Sequence, residues 1–384
     1  MKAIFEDANP NVTVSPDYVN SSSFMQSVTT SYAANDIPDF TPGTNNDRVA
    51  TLVNAGIVDN VEDVVDAIGR DKFLPGSLDQ FTFDGEIMGI PQQVSPHVFW
   101  YRTDLAEEEN LEAPVTWDDL LEFAKRTTRD GVYGFVMALG QESATRRNVY
   151  AFIRQGGGNI VDEDLNPVIN SAANKRTFEF MKEMYQYCPP GAANFGYRDL
   201  INHITTGTAA SGEYTGRVLG RVAKNNPDLA PHLRAIQEPY YAGAEPFHYG
   251  GARACIIYKN SPSRDLAKQW MTEINFNTDH FMEWLLTAPG NTLPLVSDGY
   301  THPDWVNNPV IKANKKSMDY MQSQAGTSLS FLQESPNHKR NPKGGVFGSS
   351  PLLPTMAQRI VINNEPINDV LAWGQEQAKE IMSE

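Results

Sequence analysis

Two polar clusters in this chain carry side chains suited to binding a hydroxyl-rich solute. One is Thr44-Asn45-Asn46-Asp47, which follows a strand signal ending at Pro38-Asp39; the other is Gln92-Gln93 with Ser95 and His97. Amides donate and accept, carboxylates accept, and sugar hydroxyls do both. A sugar site therefore uses these residue types, with aromatic rings for the apolar C–H faces of a pyranose. Ligand loops in α/β sheets lie beyond the carboxyl edges of the strands, where Asn45, Asn46 and Asp47 stand. The same residues equally suit a polar turn capping a helix over Arg48–Val53. Along an extended segment side chains alternate, so Gln93, Ser95 and His97 share one side while Gln92 and Val94 share the other.

Catalytic chemistry finds less support. A glycoside hydrolase needs two carboxylates roughly 5–10 Å apart. With 47 acidic residues some pair is always at hand, so their number discriminates nothing. No G-x-S-x-G elbow, H-E-x-x-H helix or P-loop occurs, and the seven histidines are scattered singly. Gly156-Gly157-Gly158 lacks the Lys-Ser/Thr of a phosphate loop and reads as a helix end. Cys188 and Cys255 are too few for a thiolate-rich metal site and read as separate buried thiols. No catalytic residue, metal or cofactor is expected. The formal net charge of −16 argues against a nucleic-acid partner and disfavours a polyanionic ligand. It reads as a well-solvated surface, with a salt-adapted source as the sharper alternative.

The elements that must position these residues alternate between strand and helix signals, which predicts an α/β fold with mainly parallel sheets. At 384 residues the chain exceeds what one core usually supports, so two domains are expected. Asp84-Gly85 between apolar residues predicts a type I′ hairpin. Trp117, Leu120, Leu121 and Ala124 predict a helix that Thr116 caps, with Asp119 reaching back. Further stripes are Phe178, Met181 and Tyr185; Leu266, Trp270, Met271 and Ile274, capped by Ser263; and Ile367, Val370, Leu371, Ala378 and Ile381 after Pro366. Met1–Asp7 reads as a helix and Asn11–Tyr18 as the strand after it. No window approaches the roughly 18 apolar residues of a membrane span. No Gly/Ser linker separates the halves, which fits a chain that crosses between its domains several times.

The run FTFDGEIMGIPQQVSPHVFWYRTDL (Phe81–Leu105), followed by PVTWDD (Pro114–Asp119), resembles the central segment of the extracellular solute-binding proteins of ABC importers. The carbohydrate-binding group that includes maltose-binding protein is the nearest in pattern. FEDANPNVTV (Phe5–Val14) and ANDIPDF (Ala34–Phe40) upstream, and Gly156–Gly158, Gly207–Gly212, Gly250-Gly251 and Pro289–Pro294 downstream, extend the likeness over nearly the whole chain. The resemblance implies a two-lobed, periplasmic-binding-protein-like fold of type II with a ligand cleft between the lobes. Residues 1–94 with 250–302 would form the N-terminal lobe and 95–249 with 303–384 the C-terminal lobe, with hinge crossings near Val94, Gly250 and His302. It implies a monomer that binds a sugar and delivers it to the transmembrane subunits of an ABC permease, without catalysis. The setting would be periplasmic or extracellular and membrane-associated, through lipid anchoring in a precursor. This chain shows no secretion signal and departs from the family by lacking its first strand. Alternatives are a binding protein for a polyamine, glycerophosphodiester or peptide, and a secreted carbohydrate-active enzyme. A phosphodiester would need inward arginines near Arg146, Arg147 or Arg217.

The resemblance also assigns site residues. Tyr214, in HITTGTAASGEYTG, falls where the family stacks an aromatic on its ligand. Gln141 and Glu142 match a loop that supplies an acidic residue, and Ser95 stands where maltose binders place an acid. Gly250 and Gly251 permit close backbone approach. Asn291 falls at the cleft rim, and Ser349, with Phe347 and Ser350, lies in a loop that either closes over the ligand or moves freely at the surface.

Overall fold

The computed structural model describes residues 1–19, 23–330, 341 and 343–383. Its strands are β1 (Phe40–Asn45), β2 (Thr82–Phe83), β3 (Glu86–Ile87), β4 (Ile90–Arg102), β5 (Ser211–Thr215), β6 (Leu233–Ile236), β7 (Gly250–Ile257) and β8 (Leu293–Pro294). Helices surround them, so the α/β expectation holds. The 13-residue β4 organises the molecule because its two halves have different partners. Ile90–Pro96 pairs with β7, and Gln93-Val94 also with β8, while β7 pairs in turn with β1. His97–Arg102 pairs instead with β5 and β6. The change falls where Pro96, which has no N–H to donate, stands opposite Gly250. The next amide, His97 N, donates to Tyr249 O at 2.8 Å.

Every ladder between these strands is antiparallel, which corrects the expectation of mainly parallel sheets. Parallel pairing survives as isolated bridges, Tyr133 with Ala209 and Val136 with Gly212 among them. The alternation of strand and helix signals was real, but those segments meet β5 at single residues too sparse for a ladder. Asn11–Tyr18 likewise joins no ladder among the described residues. Val12 and Val14 pack on the core, and Val14 N donates to Glu6 Oε1 at 2.8 Å.

Local signals were followed closely. Asp84 and Gly85 adopt φ of 52° and 87°, the two left-handed positions of a type I′ turn between β2 and β3. Thr116 Oγ1 accepts from Asp119 N at 3.2 Å while Asp119 Oδ2 accepts from Thr116 N at 2.8 Å, starting the helix Trp117–Thr127. That helix buries Trp117, Leu120 and Ala124, and Trp117 stacks on Phe180 with centroids 4.2 Å apart. Gly157, at φ 74°, closes the helix Ser143–Gln155 by donating to Arg154 O. Ser263 occupies the N-cap position of Arg264–Trp270, yet its side chain makes no capping bond; its carbonyl accepts from Ala267 N instead.

Two large apolar clusters, with a small third one of Leu105, Ala106, Phe123 and Ala210, support this frame. The larger contains Val94 and Val98 on either side of the Pro96 crossing, together with Cys255; the other gathers around helices Ser143–Gln155, Ala172–Met184 and Ile367–Ser383 and contains Cys188. Both cysteines are buried and neither forms a disulfide among the described residues, as expected. Among the described residues no helix is long and apolar enough to cross a membrane.

Candidate functional site

Strand register assembles a polar stripe on one face of the sheet. Arg253 of β7 stands directly opposite Asn45 on β1 and Gln93 on β4. Residues opposite one another in an antiparallel pair project to the same side, so these three point together. Gly251 and Ser95, paired with each other two residues along, continue the stripe. Its reverse side is Val94, Ala252 and Ala254, all fully buried. The polar side meets solvent: Arg253 is exposed, Ser95 and Asn45 are half-buried, and a Cβ at Gly251 would meet nothing within 4 Å.

Buried acceptors without partners collect beside this stripe. Gln93 Oε1, Asn45 Oδ1 and Asn46 Oδ1 make no hydrogen bond among the described residues, and each such atom ordinarily costs about 1–3 kcal/mol. The Asn46 amide is nonetheless held in place. The helix Asn46–Asn54 follows β1 without a break, and Asn46 Nδ2 donates to Ser330 Oγ at 2.9 Å. Ser330 Oγ donates to Asp47 Oδ1 at 3.3 Å. Burial pushes the Asp47 carboxyl up to about 6, against the pull of that hydrogen bond and of Arg147 and Arg48.

Arg147 enters from the helix Ser143–Gln155, whose apolar side is locked into the core by Val149 and Ile153. It hydrogen-bonds Tyr249, and its charge is felt at Asp47, Tyr214 and Arg253. Arg253 is held below the usual arginine range by desolvation first and then by Arg147 and Arg48. Among the described residues three guanidinium groups, of Arg48, Arg147 and Arg253, therefore share one region with the Asp47 carboxylate, and the charge of Glu213 reaches Tyr249.

A family model for bacterial extracellular solute-binding proteins matches residues 1–292. The chain belongs to that family. The ABC-transporter periplasmic-binding protein YcjN of Escherichia coli K12, itself described as putative, is 21% identical over 317 residues, covering 81% of this chain and 72% of its own length. A binding protein of Brucella abortus strain 2308, also described as putative, is 23% identical over 70% of this chain; the chain spans 65% of it, just under two thirds. The structure of maltose-bound T. maritima MalE3 superposes with a TM-score of 0.78 at 19% identity, over 99% of this chain and 94% of that one. At that identity the likeness shows the fold: the two-lobed α/β architecture of solute-binding proteins.

Within this solute-binding protein the residues singled out from sequence separate into groups. Asn45, Asn46, Asp47, Gln93, Ser95 and Gly251 come together around Arg253 and Arg147. Gln92 is buried at the β4 bulge, its carbonyl accepting from Leu295 N at 3.1 Å. Gly250 is packed under Ser328, whose Cβ would lie 2.2 Å from an added Cβ. Tyr214 pairs with Val98, is buried in the larger cluster, and has its hydroxyl pushed up to about 12 by that burial. Asn291 Oδ1 accepts from Thr215 Oγ1 at 3.2 Å, one residue from Tyr214. Three residues lie elsewhere. Glu142 Oε1 accepts from Tyr197 N at 2.6 Å at the start of the helix Tyr197–Thr206. Gln141 donates to Gln358 Oε1 at 2.8 Å, and the exposed Ser349 bonds back to Gly345 O on its own helix.

Sequence reasoning missed Arg253, Tyr249 and Glu213, and cited Arg147 only as the condition for a phosphodiester. The available signal for Arg253 was the alternation in GGARACII, where Gly251 and Arg253 oppose Ala252 and Ala254. Glu213 accepts from Asn148 Nδ2 and contacts His97 Nδ1. Burial, reinforced by the charge of Glu213, raises the Glu238 carboxyl well above the usual range; Gln155 Nε2 donates to it at 2.8 Å. Glu213 and Glu238 line a cavity of about 20 Å³, room for roughly one water. A pyranose does not fit in that volume.

Proposed function

We propose that the protein captures a carbohydrate between two lobes that close about a hinge, and hands it to the transmembrane subunits of an ABC importer outside the cytoplasmic membrane. The lobes are 1–94 with 250–302 and 95–249 with 303–384. The supporting observation is the exchange of partners along β4 at Pro96 and Gly250. A change of backbone angle there rotates β5 and β6 relative to β1, β7 and β8 without breaking either ladder. Asn45, Gln93 and Arg253 of the polar stripe belong to one side of that joint and Arg147 to the other. A solute touching both is bound fully only when they approach, so its binding free energy becomes a population shift toward the closed form. The family membership and the maltose-bound neighbour support a sugar.

Thermal unfolding and small-angle scattering against a panel of mono- and oligosaccharides test this reading. The bound sugar raises the melting temperature, with about 2.7 kcal/mol of added stability at a hundredfold excess over Kd, and lowers the radius of gyration. A panel that leaves both unchanged in a folded chain defeats the carbohydrate reading.

A further inference from the structure

Resting on that reading of the cleft, we infer that the ligand carries an oxyanion, a carboxylate or phosphate, which Arg147 and Arg253 hold from the two sides of the joint. The first observation is a charge imbalance. Several exposed arginines elsewhere are paired with carboxylates: Arg70 with Glu62 and Asp66, Arg126 with Glu109, Arg129 with Glu108. Arg253 has no hydrogen bond or ion pair among the described residues, and its charged neighbours are two further arginines. In a chain with 47 acidic residues against 31 basic ones, carboxylates are abundant, yet among the described residues the charges that bear on Arg253 are those of Arg147 and Arg48 and of no carboxylate. Repulsion among like charges at close range is costly, and a bound oxyanion relieves it. A guanidinium also presents a planar fork of donors matched to carboxylate or phosphate, which a hydroxyl cannot fill.

The second observation is independent of charge. Gln93 Oε1 and Asn45 Oδ1 are buried acceptors without donors, on residues paired with Arg253 itself. They require donors while Arg253 requires an acceptor. A solute with hydroxyls and one acidic group, such as a uronate or a sugar phosphate, supplies both. The overall charge of −16 is spread over the surface and screened within about 10 Å at ordinary salt, so it does not cancel a local cationic cluster.

Calorimetric titration with matched solutes tests the inference: glucose against glucuronate and glucose 6-phosphate, lactose against digalacturonate, and glycerol 3-phosphate as a non-sugar anion. An acidic solute is expected to bind at least about tenfold more tightly than its neutral counterpart, and Arg253→Gln or Arg147→Gln to weaken that binding roughly 10- to 100-fold. Arg253→Lys keeps the charge, loses the fork and falls between. Melting of the unliganded variants at or above that of the parent shows that folding is intact. Whether the uronates or the phosphate bind identifies the source of the oxyanion. A neutral sugar bound as tightly as its acidic counterpart, with both variants unaffected, overturns the oxyanion and leaves sugar capture standing. Binding of glycerol 3-phosphate alone keeps the oxyanion and removes the sugar, and no binding by any member removes both.

Discussion

Asp47 is the residue whose ionisation is most exposed to test. Its carboxyl titrates near 3.8 in an unfolded chain and about 6 in the folded one. Between those values the folded state holds the extra proton, so stability falls as pH rises through the window. Asp47→Asn has no such proton, and it should gain on the parent between about pH 4 and about pH 7. Urea unfolding at both values measures this, and a difference that does not move with pH would refute the assignment. Tyr214 is tested by two substitutions. Its buried ring predicts a loss of about 3 kcal/mol for Tyr214→Ala, whereas Tyr214→Phe keeps the packing; equal stability of the two would place the ring outside the core. Both residues were legible as polar or aromatic candidates. Their environments were not, because burial of Asp47 depends on Ser330, 283 positions away.

Elements divide by the reach of the interactions that set them. The Asp84-Gly85 turn and the Thr116/Asp119 capping box are closed within four residues, and both could be read directly from the chain. Thr116→Ala removes one half of the box, and a loss of about 1 kcal/mol is expected by thermal melting; no loss would mean that Asp119 alone secures the helix start. The polar stripe is the opposite case. Asn45, Gln93 and Arg253 become neighbours only through register across two ladders, and no local pattern states a register. The same distinction explains the expected but unformed strand at Asn11–Tyr18. Alternating side chains gave it the right pattern, but a strand also needs a partner edge. Glu142 is a third instance: an acidic residue in a loop suits a ligand as well as a helix start, and here it receives Tyr197 N.

For the whole molecule, the proposed division into lobes sets Gly216 and Gly290 on opposite sides of the joint. An added Cβ at Gly216, beyond β5, would sit 1.8 Å from Gly290 O, ahead of β8. Gly216 has an ordinary helical φ of −61°, so the obstacle to alanine there is steric: the Gly290 carbonyl and, at 2.9 Å, Met321 Sδ. Gly216→Ala is expected to hold the lobes apart, weakening solute binding more than tenfold and raising the radius of gyration of the liganded protein. An unchanged affinity would show that Gly216 and Gly290 need not approach for binding.

The pairing of β1 and of the first half of β4 with β7 also governs the order in which the chain can be made. A nascent polypeptide emerges from the ribosome from its N-terminus, and β1 at Phe40–Asn45 has no ladder to join until Gly250–Ile257 has been synthesised. Over some two hundred residues of elongation the sheet that can form among the described residues is the hairpin at Asp84-Gly85 and, later, the pairing of the second half of β4 with β5 and β6. Closing so long a loop is slow relative to local contacts. Translation therefore runs far ahead of folding in the first half of the chain, which stays available to chaperones until its late strand arrives.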